Sequence, residues 1–326
     1  MNNSKILITG ASGFIGSFIV EEALGRGMEV WAVVRRSSNL QYLRDERIRL
    51  VYSDLSDEDQ IAAALCGQQF DYVVHAAGAT KALSEEAFFR VNTEGTQKLA
   101  RVIMRTSPTL KRFVFISSLS VFGAVCEEMP HRDICDDDLP LPNTAYARSK
   151  RAAEQWLMEQ PGLPFVILRP TGVYGPREKD YMLMVDSIRK GIDVAVGYSR
   201  QDLTFIYVRD VVQAVFRSME SAISVGKAYM LSDGGVYSSR DFSDLIIAEL
   251  GKRCVLRMTL PLWVLRMVCA ASDVLMHCTG KLSTLNNDHY NMLKQRNWRC
   301  DITPARQELG YEPQWTLRDG VHEMLT

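Results

Sequence analysis

Apolar runs of five or six residues recur through the first half of the chain, with helical patterns between them. KILITG reads as a strand, and FIGSFIVEEALGRG carries apolar residues at helical spacing before closing on glycine. EVWAVVR, RIRLVYSD, DYVVHAAG and RFVFISS read as the second to fifth strands. EDQIAAALCG and FFRVNTEGTQKLARVIMRT supply helices between them. Strands apolar on both faces and alternating with helices predict βαβ units, hence an α/β fold with a doubly wound parallel sheet. Further on, RAAEQWLME extends a helix, PFVILRP reads as a buried strand, and LTFIYV and KAYMLS as two later ones. Segments 171–202 and 233–326 carry more Pro, Trp and Met and a less regular rhythm. The expected division is a large half from 1–170, rejoined by 203–232, and a smaller lobe from 171–202 and 233–326 over the carboxyl ends of the strands.

The most apolar stretch is LPLWVLRMVCAASDVLMHC, residues 260–278. Arg266 and Asp273 interrupt it, which argues against a membrane span. It reads as a buried or amphipathic helix, with a substrate-pocket wall or a membrane-surface contact as sharper alternatives. Over all 326 residues the net charge is −1, without the basic excess of a nucleic-acid binder. The seven cysteines are an odd number and form no CxxC, so reduced thiols in a cytoplasmic protein are expected, with no metal site. The first strand begins almost at residue 1, so no signal peptide is expected.

ITGASGFIGSFIVEE follows the first strand and opens the first helix, and Gly10, Gly13 and Gly16 form a GxxGxxG pattern there. Glycines in that strand–turn–helix context let the backbone approach a pyrophosphate, which the helix N-terminus then binds; the pattern reads as a Rossmann dinucleotide site, with a merely structural glycine turn as the alternative. Ser12, Phe14 and Ile15 lie in the same turn. The second strand ends in VVRRSSN, with no acid to accept from an adenosine ribose hydroxyl. Arg35, with Arg36, suits a 2′-phosphate instead, so NADP is expected ahead of NAD. Asp54 and Leu55, ending the third strand, suit the adenine edge. Ala76, Ala77 and Gly78 allow close packing on the cofactor. His75 reads as structural.

The fifth strand ends in FISSLSVFG, which aims a serine at the cofactor crevice. Downstream, AYARSK places Tyr146 four residues ahead of Lys150, on one helix face. A free phenol, with a pKa near ~10, is too weakly acidic to act as a base at neutral pH. A nearby ammonium and a positive nicotinamide should lower it. With TGASGFIG, DL at 54–55, VNTEGT at 91–96, SSLSVFG at 117–123, YARSK at 146–150, LRPTGVYGP at 168–176, FIYVRDV at 205–211 and ELGYEP at 308–313 in order, the chain resembles an extended short-chain dehydrogenase/reductase over nearly its whole length. The resemblance implies that Tyr146 is the catalytic acid/base, Lys150 its activator and ribose anchor, and Ser118 the substrate-positioning hydroxyl. It also implies Asn39 near the adenine, Pro170 and Val173 beside the nicotinamide, Asn92 as a structural hydrogen-bonder, and a homodimer through two helices of the Rossmann half, one of them the Tyr/Lys helix.

For the substrate, two departures from the sugar-nucleotide branch matter. Its dehydratases resemble this chain but carry Asp-Glu where Leu119 and Ser120 stand. Many of its members carry an arginine that clamps the diphosphate at the position of Leu203; Arg200, Arg177, Lys179 and Lys81 are the cations left to replace it. The apolar 260–278 stretch, TGKLSTL at 279–285 and WRCDITPARQELGYEP at 298–313 look like the sterol and dihydroflavonol reductase branch. The expected activity is an NAD(P)-dependent alcohol/ketone oxidoreductase on a fairly apolar small molecule. A nucleoside-diphosphate-sugar epimerase or reductase is the alternative, and a catalytically silent dinucleotide-binding protein a third.

Overall fold

The computed structural model describes residues 1, 3–279, 283 and 285–326, so most of TGKLSTL lies outside the described residues. Seven parallel strands form the central sheet: β1 (Lys5–Thr9), β2 (Glu29–Val34), β3 (Arg49–Tyr52), β4 (Tyr72–His75), β5 (Arg112–Ile116), β6 (Phe165–Pro170) and, joining later, β10 (Lys227–Leu231). Their spatial order is β10-β6-β5-β4-β1-β2-β3, the doubly wound Rossmann arrangement. Alternating side chains feed two separate cores. Ile6, Ile8, Val74 and Val114 pack on one face, against α1 (Phe14–Gly25) and α7 (Val208–Glu220). Leu7, Val73, Phe113 and Phe115 pack on the other, against α4 (Gly95–Thr106) and α5 (Ala145–Met158). Burial on both faces explains why these strands read as continuous apolar runs, each large side chain contributing about 1.5–3 kcal/mol.

Between these lie α2 (Glu58–Ala64), capped by Asp57, and α3 (Glu85–Phe88), which passes through one widened π-type turn, Phe89–Glu94, into α4. A single helix was the expectation across that stretch. The extra residue in the wide turn turns Asn92 inward, where it is buried.

The remaining chain adds β7 (Gly172–Tyr174), α6 (Asp180–Arg189), β8 (Ile192–Val196), β9 (Phe205–Tyr207), α8 (Asp241–Glu249), β11 (Leu256–Leu260), α9 (Leu262–Thr279), α10 (Asn287–Leu293), α11 (Thr303–Leu309) and α12 (Leu317–Leu325). LTFIYV therefore forms a strand of three residues only, and it pairs with β7 outside the main sheet. Its residues are buried by an aromatic cluster of Tyr174, Tyr181, Phe205 and Phe242 rather than by sheet neighbours. β8 and β11 form another two-stranded parallel sheet. Among the described residues, no helix is long and apolar enough to cross a membrane, and no cluster of three or more His, Cys, Asp or Glu could hold a metal.

Candidate active site

The β1–α1 turn is closed by two backbone contacts. Gly10 has φ +69°, and a Cβ there would lie 2.6 Å from the Ala76 carbonyl and the Ala77 nitrogen. A Cβ on Gly16 would lie 2.1 Å from the Gly10 oxygen. Side chains at these positions would push the turn apart. Helix α1 starts at Gly13 with no side-chain cap and no acid in its first turn, so its N–H groups and positive end stay available. Ser12, Phe14 and Ile15 line this turn at intermediate exposure. An anionic pyrophosphate fits such a terminus.

At the end of β2, Arg35 and Arg36 are exposed, and neither forms an ion pair among the described residues. The Arg35 N–H donates to Ser38 Oγ at 3.0 Å, and the Arg36 guanidinium lies over the Tyr52 ring. Asn39 is exposed and bonds Gln41. Asp54 accepts from the Ser56 N–H at 2.9 Å, which holds its carboxyl below the usual range, with Arg35 assisting. Leu55 is half-buried against Gly95. Buried Pro170 and half-buried Val173 continue from the end of β6.

His75 is fully buried between Thr9 Oγ1 (2.6 Å) and Thr96 Oγ1 (2.9 Å). Burial holds its pKa down to about 3, with the Lys150 charge adding to the effect, so it is neutral. Asn92 Oδ1 accepts from the Ala79 N–H at 2.7 Å. Its Nδ2 donates to the Ala79 carbonyl and to Ser149 Oγ. It thus ties the loop after β4 to α5.

Ser118, Tyr146 and Lys150 come together at the carboxyl end of β5. Thr144 caps α5 through the Ala147 N–H. Tyr146 packs edge-on to Phe88. Burial pushes its pKa up to about 12, and the Ser118 hydroxyl pulls it partly back. The Lys150 Nζ donates to the Ile116 carbonyl at 2.6 Å, lies over the Phe115 ring, and sits 3.7 Å from the place a Gly78 Cβ would occupy. Burial brings its pKa down to about 7, opposed by the charge of Glu154. The expected lowering of the tyrosine is therefore reversed in the protein by itself. Desolvation is the largest cause of both shifts, at half-buried Tyr146 and at buried Lys150. Among the described residues, Ser117 Oγ and Ser120 Oγ are buried without a hydrogen-bond partner, and Leu119 is buried in the core.

Two features beside the site are not in the sequence reading. Glu154 is fully buried one helical turn beyond Lys150, and Arg169 of β6 grips it with two hydrogen bonds, at 3.0 and 2.9 Å. Reading the four-residue spacing one turn further would have found Glu154. Asp288 of α10 accepts from the backbone N–H groups of Ala145 (2.9 Å) and Tyr146 (3.3 Å). Nothing in the local sequence signals a contact spanning 142 residues.

Most of the cations available for a diphosphate are engaged elsewhere. Arg177 donates to Ser17 Oγ and Glu21 and stacks on Phe18 and Tyr42. Arg200 pairs with Asp202, and Lys81 with Asp180. Lys179 is exposed. Leu203 is locked by paired backbone hydrogen bonds to Tyr237.

Residues 6–231 match the model of the NAD dependent epimerase/dehydratase family. The chain is 25% identical over 335 residues to a UDP-glucose 4-epimerase of Vibrio cholerae, covering 98% of this chain and 94% of that protein. It is 26% identical over 354 residues to a 3-beta-hydroxysteroid dehydrogenase of Mycolicibacterium neoaurum, covering 98% and 90%. Among solved structures, UDP-glucuronic acid 4-epimerase from Bacillus cereus in complex with NAD superimposes with a TM-score of 0.77 at 22% identity, over 98% of this chain and 96% of that one. With a Rossmann sheet, an open glycine turn and a family match across more than two-thirds of its length, the chain belongs to the NAD-dependent epimerase/dehydratase family of extended short-chain dehydrogenase/reductases and is an enzyme of that class.

Proposed function

We propose that this protein is an NADP-linked oxidoreductase that interconverts an alcohol and a ketone on a fairly apolar small molecule. Residues 1–170 and 203–232 would hold the dinucleotide, and 171–202 with 233–326 would cover the substrate. The observation that carries the reading is the convergence of half-buried Tyr146 and buried Lys150 beside Ser118, at the strand ends near the open Gly10–Gly16 turn. The residues fit a dinucleotide: the uncapped end of α1 receives its pyrophosphate, and Gly78 leaves room above the Lys150 ammonium for its ribose hydroxyls. When bound, the nicotinamide supplies the hydride acceptor or donor.

The chain's own groups handle the proton and the orientation. Ser118 Oγ donates to the substrate oxygen and holds it against the Tyr146 hydroxyl. In the reducing direction, Tyr146 with its raised pKa keeps its proton at neutral pH and delivers it to the developing alkoxide. In the oxidising direction, the phenolate takes the alcohol proton. The Lys150 ammonium stabilises that phenolate, and Glu154 favours the charged form of Lys150. The engagement of Arg177, Arg200 and Lys81 with acids, and Leu203 in place of a cation, favour a substrate without a diphosphate. Exposed Arg35 and Arg36, free of ion pairs among the described residues, favour the 2′-phosphate of NADP over NAD. Exposed Val91, Leu139 and Leu141, beside the outer face of α5, favour a homodimer through that face.

The similarity to a UDP-glucose 4-epimerase supports a second reading, a sugar-nucleotide epimerase. Turnover on a panel of hydroxysteroids and flavonoid ketones, run beside UDP- and dTDP-sugars, separates the two. Tyr146→Phe should lower kcat by about 10²–10⁴-fold while dinucleotide binding, read by NADPH fluorescence, stays as in the parent. Undiminished turnover in this variant would sink the mechanism. Dinucleotide binding without turnover on either panel would favour a catalytically silent protein.

A further inference from the structure

Helix α9 has two unlike faces. Leu265, Cys269 and Met276, spaced four and seven residues apart, are buried toward the body of the protein. The opposite stripe is apolar and open to solvent: Trp263 is 67% exposed, Met267 64%, Val274 65% and Leu275 63%, with Ala270 and Ala271 exposed between them. Just before it, β8 and β11 run in parallel register, Ile192 beside Leu256 and Val194 beside Met258. All four of these side chains are exposed, while Asp193 and Ala195 face inward. The sheet runs through Pro261 into α9, with Gly197 against Leu262 and the Tyr198 hydroxyl bonded to the Thr259 carbonyl. A soluble surface rarely carries so many large apolar side chains side by side without something to cover them.

The charges around this patch identify the cover. Arg189, Lys190, Lys252 and Arg253 crowd the end where both strands begin, joined by the bond from Lys252 Nζ to the Arg189 carbonyl. Arg257 and Arg266 are exposed farther along. Asp186 and Asp244 answer Arg189 and Arg257. Lys190, Lys252, Arg253 and Arg266 form no ion pair among the described residues. In a chain of net charge −1 this is a local surplus. A twofold dimer through the patch would set these cations against their own copies. An anionic bilayer surface accepts both features: acyl chains take Trp263, Met267 and Val274, and headgroup phosphates take the cations.

We propose that α9 and the β8–β11 sheet dock this enzyme on the surface of an anionic membrane, lying in the interface rather than spanning it. The helix rests in the headgroup–acyl boundary with Trp263 as anchor. The inference stands on exposure and charge alone, independent of which substrate the active site takes.

Co-sedimentation of the full chain with phosphatidylcholine vesicles, with and without phosphatidylglycerol, tests it. Binding to the mixed vesicles should exceed binding to pure phosphatidylcholine at least ~tenfold. Lys252→Glu/Arg253→Glu should remove that difference. Trp263→Ser/Met267→Ser should release the protein from both vesicle types, with the circular dichroism melt and NADPH binding unchanged in each variant. Equal binding of the parent to neutral and anionic vesicles, or none, overturns the proposal. So does a concentration-dependent dimer in sedimentation velocity that Trp263→Ser/Met267→Ser abolishes, because the patch then joins two copies of the chain.

Discussion

Tyr146, Lys150 and Glu154 follow one another at four-residue intervals along α5, and their environments push the first two pKa values apart, to about 12 and about 7. At about 12 the Tyr146 phenol can give its proton but cannot act as a base at neutral pH until a bound partner lowers it, whereas the Lys150 value lies near neutrality. The residue proposed to separate the cofactors lies elsewhere. Arg35 is exposed at the end of β2, where the 2′-phosphate of NADP would meet it. Arg35→Asp should raise the KM for NADPH about tenfold or more and spare or improve NADH, measured as the ratio of kcat/KM for the two. An unchanged ratio would remove Arg35 from the 2′-phosphate site.

At the scale of elements, α5 is held at two points by other elements of the chain. The Glu154–Arg169 pair ties its middle to β6, and Asp288 of α10 covers its N-terminus. A carboxylate on that terminus satisfies two free N–H groups and complements the helix dipole. Asp288→Ala should therefore cost about 1 kcal/mol in urea unfolding, and Asp288→Asn less. Because Tyr146 sits in the first turn, kcat should fall several-fold in the alanine variant while dinucleotide affinity holds. A loss of stability with kcat intact would limit Asp288 to a structural cap. Helix α5 itself was legible from AYARSK and RAAEQWLME, because its periodicity is local. The cap was not, because α10 meets the helix only 142 residues farther along the chain. The widened turn at Phe89–Glu94 was hidden for a related reason: one extra residue per turn leaves the apolar pattern of FFRVNTEGTQKL almost unchanged.

For the whole molecule, burying Lys150 sets a pH dependence. Its pKa is brought down to about 7 from an ordinary 10.5, so between those values the unfolded chain binds the proton and the folded one does not. The penalty is full below pH 7 and fades as pH rises, so stability should increase with pH there, at up to about 1.4 kcal/mol per unit. Other groups blur the window at its edges. Asp210, raised to about 6 by burial, favours the folded form at lower pH and opposes the effect of His75. The thiol of Cys300, raised by burial to about 12 from 9.0, offsets the slope from pH 9 upward. Urea unfolding between pH 7 and 9 should show the rise, and Lys150→Met should flatten it and stabilise the protein at pH 7 while abolishing turnover. A rise that persists in Lys150→Met would assign it to another group.

The sequence by itself determined the parallel α/β sheet, the glycine turn at Gly10–Gly16 and the Tyr146–Lys150 pair, because each rests on a short-range pattern: runs buried on both faces, a turn that excludes Cβ atoms, and a four-residue helical step. Tertiary structure alone decided what those groups experience. Burial moved the Tyr146 pKa opposite to the expected direction, Arg177 and Arg200 turned to acids instead of a diphosphate, and LTFIYV left the main sheet for an aromatic cluster. It also turned one face of the apolar 260–278 stretch outward, an orientation that the balance of apolar residues along the stretch does not specify. Desolvation, ion-pair choice and exposure depend on which distant surfaces meet, and a pattern along the chain does not carry that information.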